Sequence, residues 1–180
     1  MSEVFELRQY TLHPGTRDTL LELFAREFVH TQEACGITIP GAFRDLGNAD
    51  RFVWFRGFRD MASRKEALTC FYGGPAWKAH RDAANATMID SDDVLLLRLV
   101  DGSAFPACMP ARVNVTVYDA KSFVSGIPAL TLLETEPAEN NYPPLPVRSR
   151  ENVIVAITEN FEPEPGTFIQ HLKLELTGER

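Results

Sequence analysis

No run of basic residues occurs anywhere in the 180-residue chain, and its net charge is −7 with a pI near 5.1. Nucleic acids and anionic membranes are held by clustered cations, so neither is expected as a partner. No stretch approaches the ~20 apolar residues of a membrane-spanning helix, and the opening residues show neither an apolar signal core nor an Arg-rich presequence. Cysteine is scarce. Cys35, Cys70 and Cys108 are odd in number, far apart and without a CxxC pair. That usage fits free thiols in a reducing compartment, and a cytoplasmic setting is expected. The histidines (His13, His30, His80, His171) are equally scattered, so no metal is expected, nor any other cofactor.

What is present is ordinary globular composition, 44% apolar and 24% charged. Alternation predicts a strand over 4–12, with Phe5 and Leu7 on one face and Glu6, Arg8 and Tyr10 on the other. Pro14-Gly15 is a turn, and Thr16 is the expected N-cap of a helix whose stripe is Leu20, Leu21, Phe24 and Phe28. Gly36 closes that helix in a left-handed conformation. Strands over 39–46 and 51–58 join through Gly47-Asn48-Ala49-Asp50 as a hairpin. Asp60 caps the next helix, Gly73-Gly74 breaks it, and Pro75 opens another running to about residue 88. A strand over 94–100 completes the order β-α-β-β-α-β, the ferredoxin-like pattern.

Residues 103–110 have linker composition, and the pattern then restarts in reduced form. Strands are predicted over 112–118, 129–136, 152–158 and 168–176, with intervening segments too short for long helices. Two units are therefore expected: a complete ferredoxin-like repeat over 1–104 and a second, over 105–180, with trimmed helices. A sheet without helices must cover its apolar face with the first half or with another chain. An exposed apolar face on the second half, and with it a homodimer or higher oligomer, is the expectation.

The stretches FELRQYTLHPGTRDTLLELF, FRDLGNADRFVWFRGFRDMASRKEAL and FYGGPAWKAHRDAANATMIDSDDVLLL closely resemble the NIPSNAP family, and LETEPAENNYPPLPVRSRENVIV resembles its second half. The resemblance implies an α+β fold of the dimeric α-β barrel type, two ferredoxin-like sheets facing each other with helices outside. It also implies a family of poorly defined biochemistry, within a superfamily that includes oxygenases, isomerases and dehydratases. In its second half this chain departs from the family pattern, since the helices there are cut to short loops.

Strand faces point to a candidate site. If one face of the first sheet takes the helices, the other looks into the barrel. That enclosed face is expected to carry Arg8 and Tyr10, with Trp54, Arg56 and Phe58 from the third strand and Arg44 from the second. Arginines and rings converging there make a pocket for a planar or anionic small molecule. The bland alternative is that Glu6 pairs with an arginine across strands and only lines the barrel.

The AWKAHRDAAN segment offers His80 as a general acid or base and Asn85 to orient a carbonyl. Against that, a lone histidine with no carboxylate or nucleophile at useful spacing serves packing more often than catalysis. Asp90, Asp92 and Asp93 read as a solvated turn, and PAENNYPPLP over 137–146 as a stiff exposed loop. Two functions follow. The first is a homo-oligomeric small-molecule-binding or assembly protein. The second is a cofactor-independent oxygenase or isomerase acting on an aromatic or polyketide-like substrate, with His80 moving the proton. They separate on whether His80 opens onto the same cavity as Arg8 and Arg56.

Overall fold

The computed structural model describes residues 1–178. The first half follows the expected order: β1 (Val4–Leu12), α1 (Arg17–Leu23), α2 (Val29–Ala34), β2 (Thr38–Asp45), β3 (Arg51–Phe58), α3 (Met61–Gly73), α4 (Pro75–Asn85) and β4 (Met88–Leu99). Between α1 and α2 the backbone loosens into a π-helical stretch, Phe24–Phe28, with the Val29 N–H bonded back to the Phe24 carbonyl.

The local punctuation acts as its chemistry demands. Asp60 accepts from the Ser63 N–H at 2.7 Å as the cap of α3, and Pro75 occupies the first turn of α4. Gly36 sits at φ 85° after α2. Thr16 precedes α1 but does not cap it with its side chain. Its hydroxyl instead donates to the His13 and Thr87 carbonyls, tying the helix entry to the start of β4. That strand begins at Met88, ahead of its apolar run, because its ladder with β1 continues through bulges to Leu12↔Met88.

The second half supplies β5 (Arg112–Asp119), β6 (Thr131–Thr135), β7 (Val153–Thr158) and β8 (Gln170–Leu176). Among the described residues it has no helix. The eight strands close into one barrel in the order β1-β3-β2-β8-β5-β7-β6-β4. Cut at its two seams, this ring gives β4-β1-β3-β2 and β8-β5-β7-β6, the same ferredoxin-like order twice. The seams are short: Phe43↔Leu176 to Asp45↔Leu174 on one side, Leu97↔Thr135 to Leu99↔Leu133 on the other.

Strand parity groups the side chains as expected but faces them the other way. Phe5, Leu7, Phe43, Val53 and Phe55 point into the barrel, where they meet Val113, Val115, Val117, Val155 and Leu174 of the second half. Glu6, Arg8, Tyr10, Trp54, Arg56 and Phe58 lie under the helices instead. Tyr10, Trp54 and Phe58 pack there with Leu20, Phe24, Phe28, Leu68 and Phe71. The physical reason is the partner set. The interior of an eight-stranded barrel is narrow enough for side chains to fill, and here the second half fills it with aliphatic groups that offer a charge no partner. The helix layer brings Arg64, Gln32 and Tyr72, which do.

Two further expectations need correction. The apolar face of the second half is not exposed, because the first half of the same chain covers it. The ground for an oligomer built on that face is therefore gone. Its outer face carries Asn114, Thr116 and Tyr118, buried beneath loops; Asn114 donates to the Phe161 carbonyl and Tyr118 meets Phe123 edge-on. Nor are all three cysteines free. Cys35, at the end of α2, is bonded to Cys70 of α3, with 5.8 Å between their Cα atoms, and Cys108 alone is free. Disulfides belong to oxidising surroundings, so the thiol argument for a cytoplasmic setting no longer stands. No helix among the described residues is long and apolar enough to cross a membrane.

Candidate functional site

The site grows from one buried carboxylate. Glu6 of β1 is completely enclosed and holds three guanidiniums: Arg8 at 2.7 Å, Arg56 of β3 at 2.7 Å and Arg64 of α3 at 2.7 Å. Glu6 pairs across the ladder with Arg56, which is why β1 and β3 deliver both to one face. Burial pushes the Glu6 carboxyl up, but the Arg56, Arg8 and Arg64 charges outweigh it and hold it well below the usual carboxylate range. Glu6 is therefore ionised, and one negative charge faces three positive ones.

Neutral groups complete the cluster. Arg8 Nε donates to the Tyr10 hydroxyl at 3.0 Å, and its Nη2 reaches the Ser91 carbonyl at 3.3 Å. Arg56 Nη1 donates to the Tyr72 hydroxyl at 3.2 Å and to Gln32 at 3.4 Å. Arg64 Nη1 donates to Asn140 at 3.0 Å and Asn141 at 2.9 Å, both on the loop between β6 and β7. Burial raises the Tyr10 phenol above its ordinary value, with the Arg8 charge pulling the other way, so the phenol stays neutral near pH 7. Both β-strand guanidiniums also lie by the Trp54 ring, Arg8 at 5.8 Å and Arg56 at 5.3 Å from its centroid.

Beside this cluster lies a cavity of about 210 Å³ between sheet and helices. Its floor is Arg8, Tyr10 and Trp54; its walls are Phe24 and Phe28 from the π-helical stretch, with Phe71, Tyr72 and Trp77 from α3 and α4. Asn85, Met88, Ser91 and Asp92 border one side, and Pro144 and Leu145 of the β6–β7 loop the other. That loop is anchored rather than free. Asn141 donates to the Met61 carbonyl at 2.6 Å, and Tyr142 stacks on Tyr72 at 6.2 Å. A segment that reads as an exposed linker therefore forms part of the rim.

Of the residues expected at a site, Arg8, Tyr10, Trp54 and Asn85 line this cavity, and Arg56 lies beside it in the charge cluster. Arg44 does not join them. It is an outer residue paired with Asp18 at 2.9 Å. His80 is also outside: its Nε2 lies 3.3 Å from Glu27 on the helix surface, and its ring meets Phe28 edge-on at 6.4 Å. The Arg8/Arg56 face and His80 thus do not open onto one cavity, because His80 falls on the side of α4 that turns toward Glu27.

Sequence reasoning missed Arg64, Gln32 and Tyr72. Arg64 left a readable trace, since it shares the buried stripe of α3 with Ala67, Leu68 and Phe71. A charge on an apolar stripe asks for a buried partner. Gln32 follows Phe28 by four residues and is equally buried, the same kind of trace. Asn140 and Asn141 left none, because their partner is 76 and 77 residues away.

The NIPSNAP family model matches residues 5–104, the half that builds this site. No curated protein matches the chain. Among solved structures, the chain is similar to a NIPSNAP family protein of unknown function from Agrobacterium tumefaciens. The two are 17% identical with a TM-score of 0.53, over 58% of this chain and 95% of the other. An uncharacterized NIPSNAP-like domain protein from Burkholderia xenovorans is 21% identical with a TM-score of 0.52, over 58% and 92%. A candidate monooxygenase from Fusobacterium nucleatum covers both halves: TM-score 0.60 and 7% identity, over 97% of this chain and 92% of its own. At these identities the likeness is one of fold.

Proposed function

The chain belongs to the NIPSNAP family, and on that premise we propose that it is a small-molecule-binding protein whose ligand sits between the sheet and the helices of the first half. The observation that carries this reading is the cavity of about 210 Å³, walled by aromatic rings and floored by a few convergent polar groups. Such a mixture is what holds a small planar molecule: rings supply contact area, and fixed donors supply orientation. The barrel interior offers no rival, being packed with valine, leucine and phenylalanine.

The alternative, a cofactor-independent oxygenase or isomerase, needs a group at the cavity that moves a proton near neutral pH. His80 is not placed for it, and burial raises the Tyr10 phenol still further above the neutral pH range, so it keeps its proton there. Likeness to a candidate monooxygenase is a likeness of fold and brings no chemistry with it. Binding is therefore the reading the geometry favours.

A thermal-shift screen of phenols, quinones and aromatic acids tests it. At least one class raises the melting temperature of the protein, and Leu145→Trp, which fills the rim, removes the shift while leaving the ligand-free melting temperature close to wild type. Binders that are indifferent to Leu145→Trp, or no binder at millimolar concentration, contradict the reading.

A further inference from the structure

Resting on that reading, we infer that the ligand is an aromatic carboxylate, its acid group seated against Arg8 and Trp54 and its ring among the aromatic walls. The first ground is charge. Three guanidiniums meet one carboxylate in a fully enclosed cluster, an excess of two positive charges. Among the described residues, Glu6 is the one acid paired with these guanidiniums. Asp92 is the one acid on the cavity's border, and it is exposed at the rim. Tyr10 and Tyr72 receive hydrogen bonds as neutral phenols. A buried, uncompensated cation is unfavourable, and a bound anion relieves it.

The second ground is unpaired donors. Among the described residues, Arg56 Nη2 and the Trp54 indole N–H have no hydrogen-bond partner, though Arg56 is 0% and Trp54 2% exposed. Trp54 and Arg8 line the cavity, and the Arg8 and Arg56 guanidiniums lie 5.8 and 5.3 Å from the Trp54 ring centroid, so the charge excess and the unpartnered indole N–H lie beside the same cavity. A guanidinium has five N–H donors. Arg8 uses three contacts, to Glu6, Tyr10 and Ser91, and keeps donors to spare.

The acceptor that fits is planar and negatively charged. A carboxylate takes paired N–H bonds from a guanidinium and a further one from an indole. A neutral molecule of the same shape fills the aromatic part equally well but leaves the charge excess in place. Water in the cavity would satisfy the donors and not the charge. The ring walls select against a bare inorganic anion, which has nothing to bury there.

The test compares 2-naphthoate with 2-naphthamide by isothermal titration at pH 7, on the wild-type protein and on Trp54→Phe, which keeps a ring and removes the indole N–H. Wild type is expected to bind the acid at least tenfold more tightly than the amide, and the gap narrows to a few-fold in Trp54→Phe. Equal binding of acid and amide overturns the inference while the binding reading stands. A gap that survives intact in Trp54→Phe overturns the placement of the acid group. Sulfate or phosphate displacing the acid at comparable concentration also overturns it, since the site then holds any anion. Failure of both naphthalenes to bind while the thermal-shift screen yields another binder overturns the inference alone, and failure of the whole screen removes the binding reading as well.

Discussion

The two halves of the barrel share one strand order and differ in what covers their outer faces. The first half carries four α-helices and a π-helical stretch over Glu6, Arg8, Trp54 and Arg56. In the second half, loops lie over Asn114, Thr116 and Tyr118. Inside the barrel both halves contribute the same kind of surface, aliphatic and phenyl side chains closely packed. The difference teaches where specificity can live in such a fold. An eight-stranded interior is wide enough for side chains or one small ligand, and this one is filled by its own side chains. The cavity lies where a helical layer stands off from the sheet, and among the described residues only the first half has such a layer. The second half, freed of helices, supplies closure at two seams and a loop that reaches across to hold Arg64.

The largest expected effect sets the two outer faces against each other. Glu6→Ala leaves three buried guanidiniums without their carboxylate and should cost about 3–5 kcal/mol or prevent folding. Thr116→Val, at an equally buried position of the second half, removes a hydroxyl 2.8 Å from His171 and should cost only about 1 kcal/mol. Urea unfolding measures both, and similar costs would erase the contrast. The same carboxylate governs acid stability. Its folded value is depressed, so its contribution is fully present above the unfolded value of ~4.3 and is lost as pH falls below it. The fall in stability between pH 5 and pH 2 should be shallower in Glu6→Gln than in wild type.

Next in size is the disulfide, which closes a loop of 35 residues within the first half alone. Reduction, or Cys35→Ser, should cost about 4 kcal/mol by loop-closure entropy. Because the bond ties α2 to α3 on two sides of the cavity, ligand affinity should fall with it. Unchanged affinity after reduction would show that packing holds these helices without help. The smallest effect belongs to His80→Ala. It removes a half-exposed contact with Glu27, so stability should change by less than about 0.5 kcal/mol and binding not at all. Loss of binding there would bring His80 back into the site.

Much of this contrast was legible in the residues. Asp60, Pro75, Gly36 and the Gly47–Asp50 turn mark element ends by local chemistry, and alternation sorted Glu6, Arg8 and Tyr10 onto one face. Which way that face turned was not legible, because parity is symmetric. The choice was made by Val113, Val115 and Val117, more than fifty positions later, which fill the interior with groups a charge cannot use. The Cys35–Cys70 pairing was equally hidden, since spacing alone does not give connectivity. Arg64 could have been found, as the charged residue on the buried stripe of α3. His80 misled because a histidine's chemistry is visible in sequence and its direction is not.

The most direct measurement uses the chain's two tryptophans, Trp54 and Trp77, both on the cavity. In a sample labelled with ¹⁵N and ¹³C and titrated with 2-naphthoate, both indole N–H resonances should move, while the methyl signals of Val115 and Val155 inside the barrel stay where they are. Valine methyls that shift while the indoles hold still would put the ligand inside the barrel and contradict the account.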